Sequence, residues 1–415
     1  MHERELLSFE SALARVLDAA PGPVLETVEL ARTPGRVLAE DIRCDRDVPA
    51  ADVSAMDGFA VRSADLTEPS SLRLVGDALA GRPYDGAVGP GECTRVMTGG
   101  LVPRGSDAVV PVEATSGYDA LEGGRIEFSR GTTRGDNVRP RASVRAQGDV
   151  VLARGGVIRA PQIAVLAGQG HVRVQVARRP RVAILPTGDE VVPIDVVPTE
   201  GQVRNSNAHC LYAQVETAGG EASLHAILRD REGDTLERLR DALETHDLVC
   251  TIGGVSMGTR DLVRGAFDTL GGRSLVESVR IKPGKPTLFG AYTRADGSTS
   301  HLLGLPGNPA SSFTIFELFG APWIKKAIGR DESTWLVRRH ATLVERPVRA
   351  NWRMQLLPAL VTRTAERAEL AALDQRSSAD LFSLAEGNAL VFVPPETALA
   401  VGESVEYVEF AFDGR

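Results

Sequence analysis

The sequence predicts a multidomain α/β protein in which a central domain with a parallel sheet is flanked by β-rich domains. Three observations support this fold class. The chain has 415 residues, which is too long for one compact core. Between residues 178 and 330, apolar strands alternate with amphipathic helices, which is the pattern of βαβ units. On both sides of this region, short apolar runs are separated by Gly- and Pro-rich turns, as is typical of β-rich domains.

Three segments are expected in the first 177 residues. Residues 1–43 begin with a helix whose apolar face is formed by Phe9, Leu13, Val16 and Leu17. Residues 44–138 predict a small β-rich domain, with strands at 72–75, 94–97 and 108–112. Further short strands are expected after this domain, at Val150–Leu152 and 172–176.

The central region predicts four strand–helix units. Its strands are expected at 181–185, 222–228, 248–252 and 301–305. The helices that follow them are expected at 206–218, near 235–243, near 261–270 and at 310–319. Gly219 and Gly220 provide a C-terminal cap for the first helix, and Pro322 is expected to end the last one. Residues 331–415 return to short strands and predict a separate β-rich domain.

Composition and charge argue against several classes of protein. The net charge is −8, the isoelectric point is about 5.6 and no basic block is present, which argues against nucleic acid as the main partner. The four cysteines form no CxxC pair, and the seven histidines show no metal-binding spacing. The N-terminus lacks the apolar core of a signal peptide, and no stretch approaches 18 apolar residues. We therefore expect a cytoplasmic protein without a membrane span.

Lysine usage is unusual. Only four of the 47 basic residues are lysines, and they form two pairs, Lys282 with Lys285 and Lys325 with Lys326. Because arginine occupies every other basic position, the two lysines held between prolines in KPGKP (282–286) indicate a specific requirement for an ammonium group.

Four unusual loops follow the predicted strands of the central region. In an open α/β sheet, ligands bind beyond the carboxyl ends of the strands. Glycine-rich turns that open helices present backbone N–H groups to an anion, and two lysines restrained by prolines add positive charge. The sequence therefore predicts a site for an anionic small molecule. The loops are TGDE (187–190), GGVSMG (253–258), KPGKP (282–286) and PGNPAS (306–311).

Each motif alone has a simpler explanation. A Gly-Gly pair after a strand is commonly a tight turn, and PGNP is an ordinary loop sequence. Glu190 and Asp261 could hold Mg²⁺ beside phosphate oxygens, but either is also a usual negative charge for the first turn of a helix. The occurrence of four such loops on successive strand ends favours a binding site.

One pattern indicates a different function. Residues 254–258 match GxSxG, the nucleophile turn of serine hydrolases, with Ser256 as the nucleophile and His301 and His340 downstream as bases. A hydrolase explains none of the other three loops. We therefore favour a turn that only binds the ligand.

Two further motifs, SAMDGFA (54–60) and RVMTGG (95–100), lie in the β-rich domain, and their composition alone indicates turns. Taken together, the motifs resemble those of the molybdopterin molybdenumtransferases, bacterial proteins whose eukaryotic counterpart is the E domain of gephyrin. The resemblance spans essentially the whole chain, with the same order and similar spacing. The matching segments are SAMDGFA, RVMTGGLVPRGSDAVV, LPTGDEV, GGVSMGTRD, KPGKP and GLPGNPASS.

The resemblance implies an elongated homodimer of four-domain chains. The first domain is then split between residues 1–43 and 139–177, and a β-rich domain (44–138) is inserted in it. A molybdopterin-binding α/β domain (178–330) and a C-terminal β-barrel-like domain (331–415) follow. The active site is expected between the central domain of one subunit and the β-rich domains of the other.

The resemblance also implies a reaction and its residues. Molybdenum from molybdate is inserted into adenylylated molybdopterin with Mg²⁺, and AMP is released. The expected catalytic residues, of which the first two are donated across the dimer, are Asp57, Thr98, Asp230, Lys282 and Lys285. The expected substrate-binding residues are Gly253, Gly254, Ser256, Pro306, Pro309, Ser311, Arg353 and Ser378. The expected metal ligands are Glu190 and Asp261.

The chain departs from this family at residues 142–144. The family has Gly-Glu-Asp where an ungapped alignment places Ala142, Ser143 and Val144, whereas a shifted alignment with an insertion would use 148–149 instead. The change removes two carboxylates from a stretch that faces the site in the family. We therefore expect reduced but real activity, with ligand binding retained.

A second hypothesis is a gephyrin-like dimeric scaffold with weak or lost catalysis. Such a scaffold would bind the peptide tail of a membrane receptor or of a tubulin-like cell-division protein. The altered residues 142–144 are the feature that favours it. If the protein is the enzyme, its expected partners besides the second subunit are a molybdopterin adenylyltransferase or apo-molybdoenzymes.

Overall fold

The computed structural model describes residues 6–254, 262–365 and 367–410. The chain divides into two compact units. The first unit consists of Met1–Glu40, Gly155–Ala160 and Val172–Arg415. The second unit consists of Asp41–Arg154 and Pro161–His171. Within the described residues, no helix is long and apolar enough to cross a membrane.

Helices and strands alternate with many short turns. The helices, in chain order, are α1 (Phe9–Ala19), α2 (Ala160–Gly168), α3 (Ser206–Ala218), α4 (Glu232–Thr245), α5 (Leu262–Thr269), α6 (Pro309–Ile315), α7 (Ala321–Ala327) and α8 (Phe382–Glu386). The strands, in chain order, are β1 (Leu25–Glu29), β2 (Ile42–Arg43), β3 (Val53–Ser54), β4 (Gly58–Val61), β5 (Ser70–Ala78), β6 (Glu92–Val96), β7 (Ala108–Pro111), β8 (Arg125–Phe128), β9 (Val138–Arg139), β10 (Val150–Leu152), β11 (Arg173–Ala177), β12 (Arg181–Pro186), β13 (Val191–Val192), β14 (Val203–Arg204), β15 (Glu221–Leu224), β16 (Leu248–Ile252), β17 (Arg273–Val276), β18 (Ile281–Lys282), β19 (Leu288–Thr293), β20 (Thr299–Leu305), β21 (Arg338–Val344), β22 (Met354–Arg363), β23 (Ala368–Ala372), β24 (Ala389–Val393) and β25 (Ser404–Glu409).

The central sheet of the first unit has six strands in the order β15-β12-β16-β20-β19-β17. The first four of these are parallel, and β19 and β17 are antiparallel additions at one edge. The order reverses at β12, because the chain passes from β12 to β15 on one side and then to β16 on the other. In open α/β sheets, ligands bind in the crevice at such a reversal. The predicted α/β fold with a central parallel sheet is confirmed.

Burial on both faces explains why β12 has an uninterrupted apolar sequence. Val182 and Ile184 pack in a cluster with side chains from α3, α6 and α7. Ala183 and Leu185 pack on the opposite face with side chains from α4 and α5. Successive side chains of a strand point to opposite faces, and helices cover both faces here, so every position is apolar.

The prediction that Pro322 ends the last helix of the central region is wrong. A π-helical turn, Phe316–Gly320, continues α6 directly into α7, and Pro322 lies in the first turn of α7. Pro322 therefore lies within a continuous helical segment, directly after the π-helical turn that interrupts the regular hydrogen-bond pattern.

The second large sheet of the first unit has the order β18-β22-β23-β21-β25-β24, and pairing between β22 and β24 closes five of these strands into a barrel. The short strand β18, which opens KPGKP, pairs in parallel with β22. The expectation that KPGKP follows a strand of the central sheet is therefore wrong. Pro283 and Pro286 have no N–H to donate, so the segment cannot continue as an interior strand.

The second unit is built around a five-stranded sheet in the order β7-β4-β6-β5-β8. The three strands predicted at 72–75, 94–97 and 108–112 correspond to β5, β6 and β7. Phe59 lies at the centre of the core, with its ring 6.0 Å from that of Phe128 in an edge contact. The predicted β-rich character of this region is confirmed.

Candidate functional site

The loops that follow β12, β16 and β20 lie side by side at one edge of the central sheet. The N–H of Thr187 donates to the carbonyl of Ile252 at 2.9 Å, and the N–H of Gly253 donates to the carbonyl of Leu305 at 2.9 Å. Pro306 follows Leu305 directly. Three of the four predicted loops therefore begin in contact, beside the reversal of strand order.

Two glycines shape the loop after β16. Gly253 and Gly254 have φ angles of +92° and +68°, which lie in the left-handed region that glycine adopts without strain. A Cβ atom on Gly253 would lie 2.7 Å from Thr187 Oγ1. This loop therefore needs glycine to approach its neighbour. Ser256 and Asp261, which the sequence assigned to the same loop, lie outside the described residues.

Arg229, which the sequence did not predict as a site residue, holds the loop after β12. Its Nη1 atom donates to the carbonyl oxygens of Asp189 at 3.0 Å and Val191 at 3.3 Å. The N–H of Asp230 donates to Asp189 Oδ1 at 3.3 Å. These bonds join the segment that carries the predicted residue Asp230 to the TGDE loop. The only local signal is a basic residue after a predicted strand, which is too common to single out.

Glu190 is exposed and its side chain folds back over Gly188. Gly188 has a φ of +128°, and a Cβ atom there would lie 2.6 Å from Glu190 Oε2. The carboxylate of Glu190 forms no hydrogen bond or ion pair with another residue that the structure describes. It therefore remains available to a ligand, on a loop that also contacts Asp230.

Asn207 holds the loop after β20. Its Nδ2 atom donates to the carbonyl of Gly307 at 2.7 Å. Asn207 lies in the first turn of α3, where the side chain of Asn205 caps the helix by accepting from the N–H of Ala208. The sequence analysis placed α3 but missed this contact. Ser311, in the first turn of α6, is buried.

KPGKP packs against α6. Gly284 has a φ of +104°, and a Cβ atom there would lie 2.5 Å from Ile315 Cδ1. Ile315 is four residues after Ser311 and therefore lies on the same helix face. The carbonyl of Gly284 accepts a hydrogen bond from Thr287 Oγ1 at 2.7 Å. The backbone that presents the lysines is therefore held next to the first turns of α6.

The two lysine pairs have different surroundings. The ammonium groups of Lys325 and Lys326 donate to backbone carbonyls at 3.2 and 2.8 Å. Lys282 is exposed and Lys285 is half-buried, and neither ammonium group has a hydrogen bond or ion pair with a described residue. Partial burial of an unpaired charge is unfavourable, so Lys285 favours an anionic ligand at this position.

Two predicted residues of the barrel domain reach this region. Arg353 Nη1 donates to the carbonyl of Ile281 at 3.3 Å, directly before Lys282. The carbonyl of Ser378 accepts a hydrogen bond from the N–H of Ala310 at 3.0 Å, in the first turn of α6. Contacts therefore link the segments that carry Glu190, Asp230, Gly253, Gly254, Lys282, Lys285, Pro306, Pro309, Ser311, Arg353 and Ser378.

In the second unit, Asp57 and Thr98 contact each other. Asp57 Oδ1 accepts hydrogen bonds from both the N–H and the hydroxyl of Thr98, each at 2.7 Å. Both hydrogen bonds hold the pKa of the exposed Asp57 carboxyl below its usual value, and the bond from the backbone N–H has the larger effect. Two neighbouring apolar side chains, Met56 and Leu101, are 40% and 41% exposed.

Three protein-family profiles match consecutive parts of the chain. They describe the MoeA N-terminal region (domain I and II) at residues 7–170, a probable molybdopterin binding domain at 183–326 and the MoeA C-terminal region (domain IV) at 343–410. A molybdopterin molybdenumtransferase of Staphylococcus aureus (strain Mu50) is 32% identical over 399 residues, which cover 95% of this chain and 93% of the relative. The chain belongs to the molybdopterin molybdenumtransferase family.

Further relatives agree with this family. The molybdopterin molybdenumtransferase of Bacillus subtilis (strain 168) is 30% identical over 402 residues, which cover 96% of this chain and 92% of the relative. A crystal structure of the molybdopterin biosynthesis MoeA protein from Pyrococcus horikoshii superposes with a TM-score of 0.84 at 28% identity. The superposition covers 98% of this chain and 99% of the Pyrococcus chain. The family predicted from the motifs is confirmed.

The stretch that departs from this family has a strained residue. Ala142 has a φ of 61°, in the left-handed region that favours glycine. Its N–H donates to the carbonyl of Pro49 at 3.0 Å, and the N–H of Val144 donates to that of Val48 at 2.9 Å. The side chains of Ser143 and Val144 are exposed. In the ungapped alignment, Ala142 replaces the glycine of Gly-Glu-Asp at a position whose backbone favours glycine.

The shifted alignment uses Gly148 and Asp149, and Gly148 also has a left-handed φ of 90°. Asp149 Oδ2 accepts a hydrogen bond from the N–H of Ala146 at 3.0 Å and closes a local turn. This alignment supplies one carboxylate where the family has two.

Mg²⁺ fits the acids of the first unit only together with a substrate. In residues 6–254, 262–365 and 367–410, no group of three or more His, Cys, Asp or Glu side chains is arranged to hold a metal ion. Of the two predicted ligands, Glu190 has an exposed carboxylate without a protein partner among the described residues, and Asp261 lies outside those residues. Mg²⁺ in proteins is commonly held by one or two carboxylates plus substrate phosphates. The donor set therefore fits a metal ion that binds with a phosphorylated substrate.

Proposed function

We propose that this protein inserts molybdenum from molybdate into adenylylated molybdopterin and releases AMP. Its family makes it a transferase of molybdenum cofactor biosynthesis. The observation that carries the proposal is that Lys282 and Lys285 have no partner among the described residues, on a segment packed against α6 and beside Arg353. Curated relatives carry the names of enzymes, which favours the transferase over the peptide-binding scaffold.

The positive side chains bring two anions together. Lys282, Lys285 and Arg353 neutralise oxygens of molybdate and of the pterin phosphate, and the hydroxyl groups of Ser311 and Ser378 donate hydrogen bonds to them. These groups reduce the repulsion between the two anions and hold them in contact. Positioning and electrostatic stabilisation of this kind account for most of the proposed catalysis.

The loops after β12 and β16 hold the adenylate side of the substrate. The backbone N–H group of Gly254 donates to a phosphate oxygen, while Gly253 shapes the turn and Pro306 and Pro309 shape the adjoining loop. Glu190, with Asp261, would hold Mg²⁺, which neutralises phosphate charge when it is bound. Ser256 in this reaction contacts the ligand and forms no covalent bond.

The chemical step needs no protein nucleophile. The two dithiolene thiols replace two oxygen ligands of molybdate, and the displaced oxygens take up the two thiol protons. A water molecule attacks the phosphoanhydride, which breaks the bond to AMP and leaves a phosphate on the pterin. The hydrogen bonds from Thr98 lower the pKa of Asp57 and so favour its ionised form, and the carboxylate is suited to accept a hydrogen bond from the substrate. Asp230 is the further acid of the adenylate side.

We infer that a second copy of the chain supplies Asp57 and Thr98, in a cytoplasmic homodimer. Exposed apolar side chains support an intermolecular surface near both groups of residues. Those near Asp57 and Thr98 are Met56 and Leu101, and those that follow Glu190 are Ile194, Val196, Val197 and Val203. Light scattering at micromolar concentration should give about twice 44.2 kDa. A monomer would contradict the shared site.

Complementation of a bacterial strain that lacks its molybdenumtransferase tests the reaction, with nitrate reductase activity as the readout. We expect partial rescue by this chain and greater rescue by a variant with Gly-Glu-Asp at 142–144. Lys285→Met should abolish rescue, and Lys326→Met is the matched control that should retain it. Failure of this chain together with rescue by the Gly-Glu-Asp variant would contradict the enzyme and leave the scaffold, whose peptide partner a pull-down would identify.

A further inference from the structure

Trp352 is a large aromatic side chain that is 49% exposed beside the proposed anion site. Tryptophan usually buries most of its surface, so this position indicates a role other than packing of the core. The guanidinium carbons of Arg280 and Arg353 lie 5.9 and 5.1 Å from the centre of its ring. Both distances are within the range of a cation–π interaction.

The backbone around Trp352 is held on both sides. Arg280 Nε donates to the carbonyl of Trp352 at 2.9 Å, and Arg280 also forms an ion pair of 3.4 Å with Glu396. The N–H of Arg353 donates to the side-chain oxygen of Asn351 at 3.0 Å. The backbone that carries the ring of Trp352 is therefore held in place, and the ring lies against both guanidinium groups.

The guanidinium of Arg353 has few other contacts. Nη1 donates to the carbonyl of Ile281 at 3.3 Å, and Nε is buried without a hydrogen-bond partner in the described residues. Nη2 has no ion pair or hydrogen bond with any of those residues. Because Ile281 directly precedes Lys282 in β18, the same strand fixes both cations.

We propose that Trp352 is a positioning residue for Arg353. The ring of Trp352 keeps Arg353 Nη2, which has no partner among the described residues, directed to the anion. This inference rests on the proposed function, in which Arg353 binds molybdate or phosphate. Without the ring, one hydrogen bond of 3.3 Å restrains a long side chain. Ordering that side chain on binding then lowers the affinity.

Calorimetric titration with molybdate alone tests the proposal. Trp352→Ala should weaken molybdate binding about two- to fivefold, the effect of losing one exposed cation–π contact. Trp352→Phe keeps an aromatic face and should retain most of the affinity. Trp335→Phe is the matched control, because Trp335 also contacts a cation, Lys326 at 5.2 Å, outside the site. It should bind molybdate normally.

A double-mutant cycle separates positioning from a general loss of structure. If Trp352 acts through Arg353, then Trp352→Ala has no further effect on molybdate affinity in an Arg353→Ala background. If Trp352→Ala lowers the molybdate affinity equally with and without Arg353→Ala, the inference is overturned. If Arg353→Ala weakens binding and Trp352→Ala does not, this inference fails while the proposed function stands. If Arg353→Ala has no effect, the assignment of Arg353 to the anion site fails as well.

Discussion

Replacing Lys285 with methionine should separate ligand binding from stability. The Lys285 side chain is half-buried and its ammonium group has no protein partner in the described residues. Methionine has a similar length, carries no charge and adapts to irregular surroundings. The substitution therefore removes the charge and little else.

The expected magnitude follows from these contacts. Losing a hydrogen bond between a charged group and the ligand costs about 1–3 kcal/mol, so the dissociation constant for molybdate should rise about 5- to 150-fold. No hydrogen bond among the described residues is lost. Removing a half-buried unpaired charge also removes a desolvation cost, so the free energy of unfolding should stay the same or rise.

Lys326 provides the matched control. Its ammonium group donates to the carbonyl of Leu17 at 2.8 Å and lies 5.2 Å from the ring centre of Trp335. Lys326→Met loses both contacts, so the free energy of unfolding should fall by about 1–3 kcal/mol. Molybdate affinity should be unchanged, because these contacts lie outside the site.

Isothermal calorimetry with molybdate and with AMP measures the first quantity, and urea denaturation followed by circular dichroism measures the second. Lys285→Met should lose ligand affinity and keep its stability, whereas Lys326→Met should lose stability and keep its ligand affinity. Normal binding of both ligands by Lys285→Met, or a loss of stability as large as that of Lys326→Met, would refute this prediction.

Three further predictions concern backbone strain and pH. Ala142→Gly removes a left-handed alanine and should raise the free energy of unfolding by about 1 kcal/mol in urea denaturation. A lower free energy of unfolding would show that the backbone at Ala142 is unstrained. Gly253→Ala should weaken AMP binding about fivefold in calorimetry, because a φ of +92° strains alanine and its Cβ would meet Thr187. Unchanged AMP binding would contradict the proposed role of this loop. Burial lowers the pKa of His301 to about 4 from 6.5, so the unfolded chain takes up the proton first as the pH falls. The contribution of His301 to the free energy of unfolding is complete above pH 6.5, and about 3 kcal/mol of it is lost as the pH falls from 6.5 to 4. In urea denaturation at a series of pH values, His301→Phe should show a smaller loss over this range.

Local signals in the sequence were sufficient for several elements of the central domain. The helix α3 begins and ends at the predicted residues, Ser206 and Ala218, because a polar cap precedes it and Gly219 takes the left-handed conformation after it. Strand β16 matches its prediction because both faces are covered, which requires an unbroken apolar run. Such signals depend on neighbours within a few residues, so they can be read in order along the chain.

The same limit explains what the sequence analysis missed at the candidate site. Arg229 bonds to carbonyls about 40 residues earlier in the chain, and Asn207 bonds to the carbonyl of Gly307, 100 residues later. Trp352 contacts Arg280 across a similar separation in sequence. Each contact is made only after distant segments pack together, and no local pattern records it.

The sequence by itself determined the family, the alternation of strands and helices, and the loops that carry glycines and lysines. Only the tertiary structure decided that β18 joins the barrel, so that Lys282 lies beside Arg353. It also distinguished the two lysine pairs, which composition marks equally. Lys325 and Lys326 have carbonyl acceptors, whereas Lys282 and Lys285 have none among the described residues. The identity of a residue specifies its charge, but the segments packed around it decide whether that charge is paired.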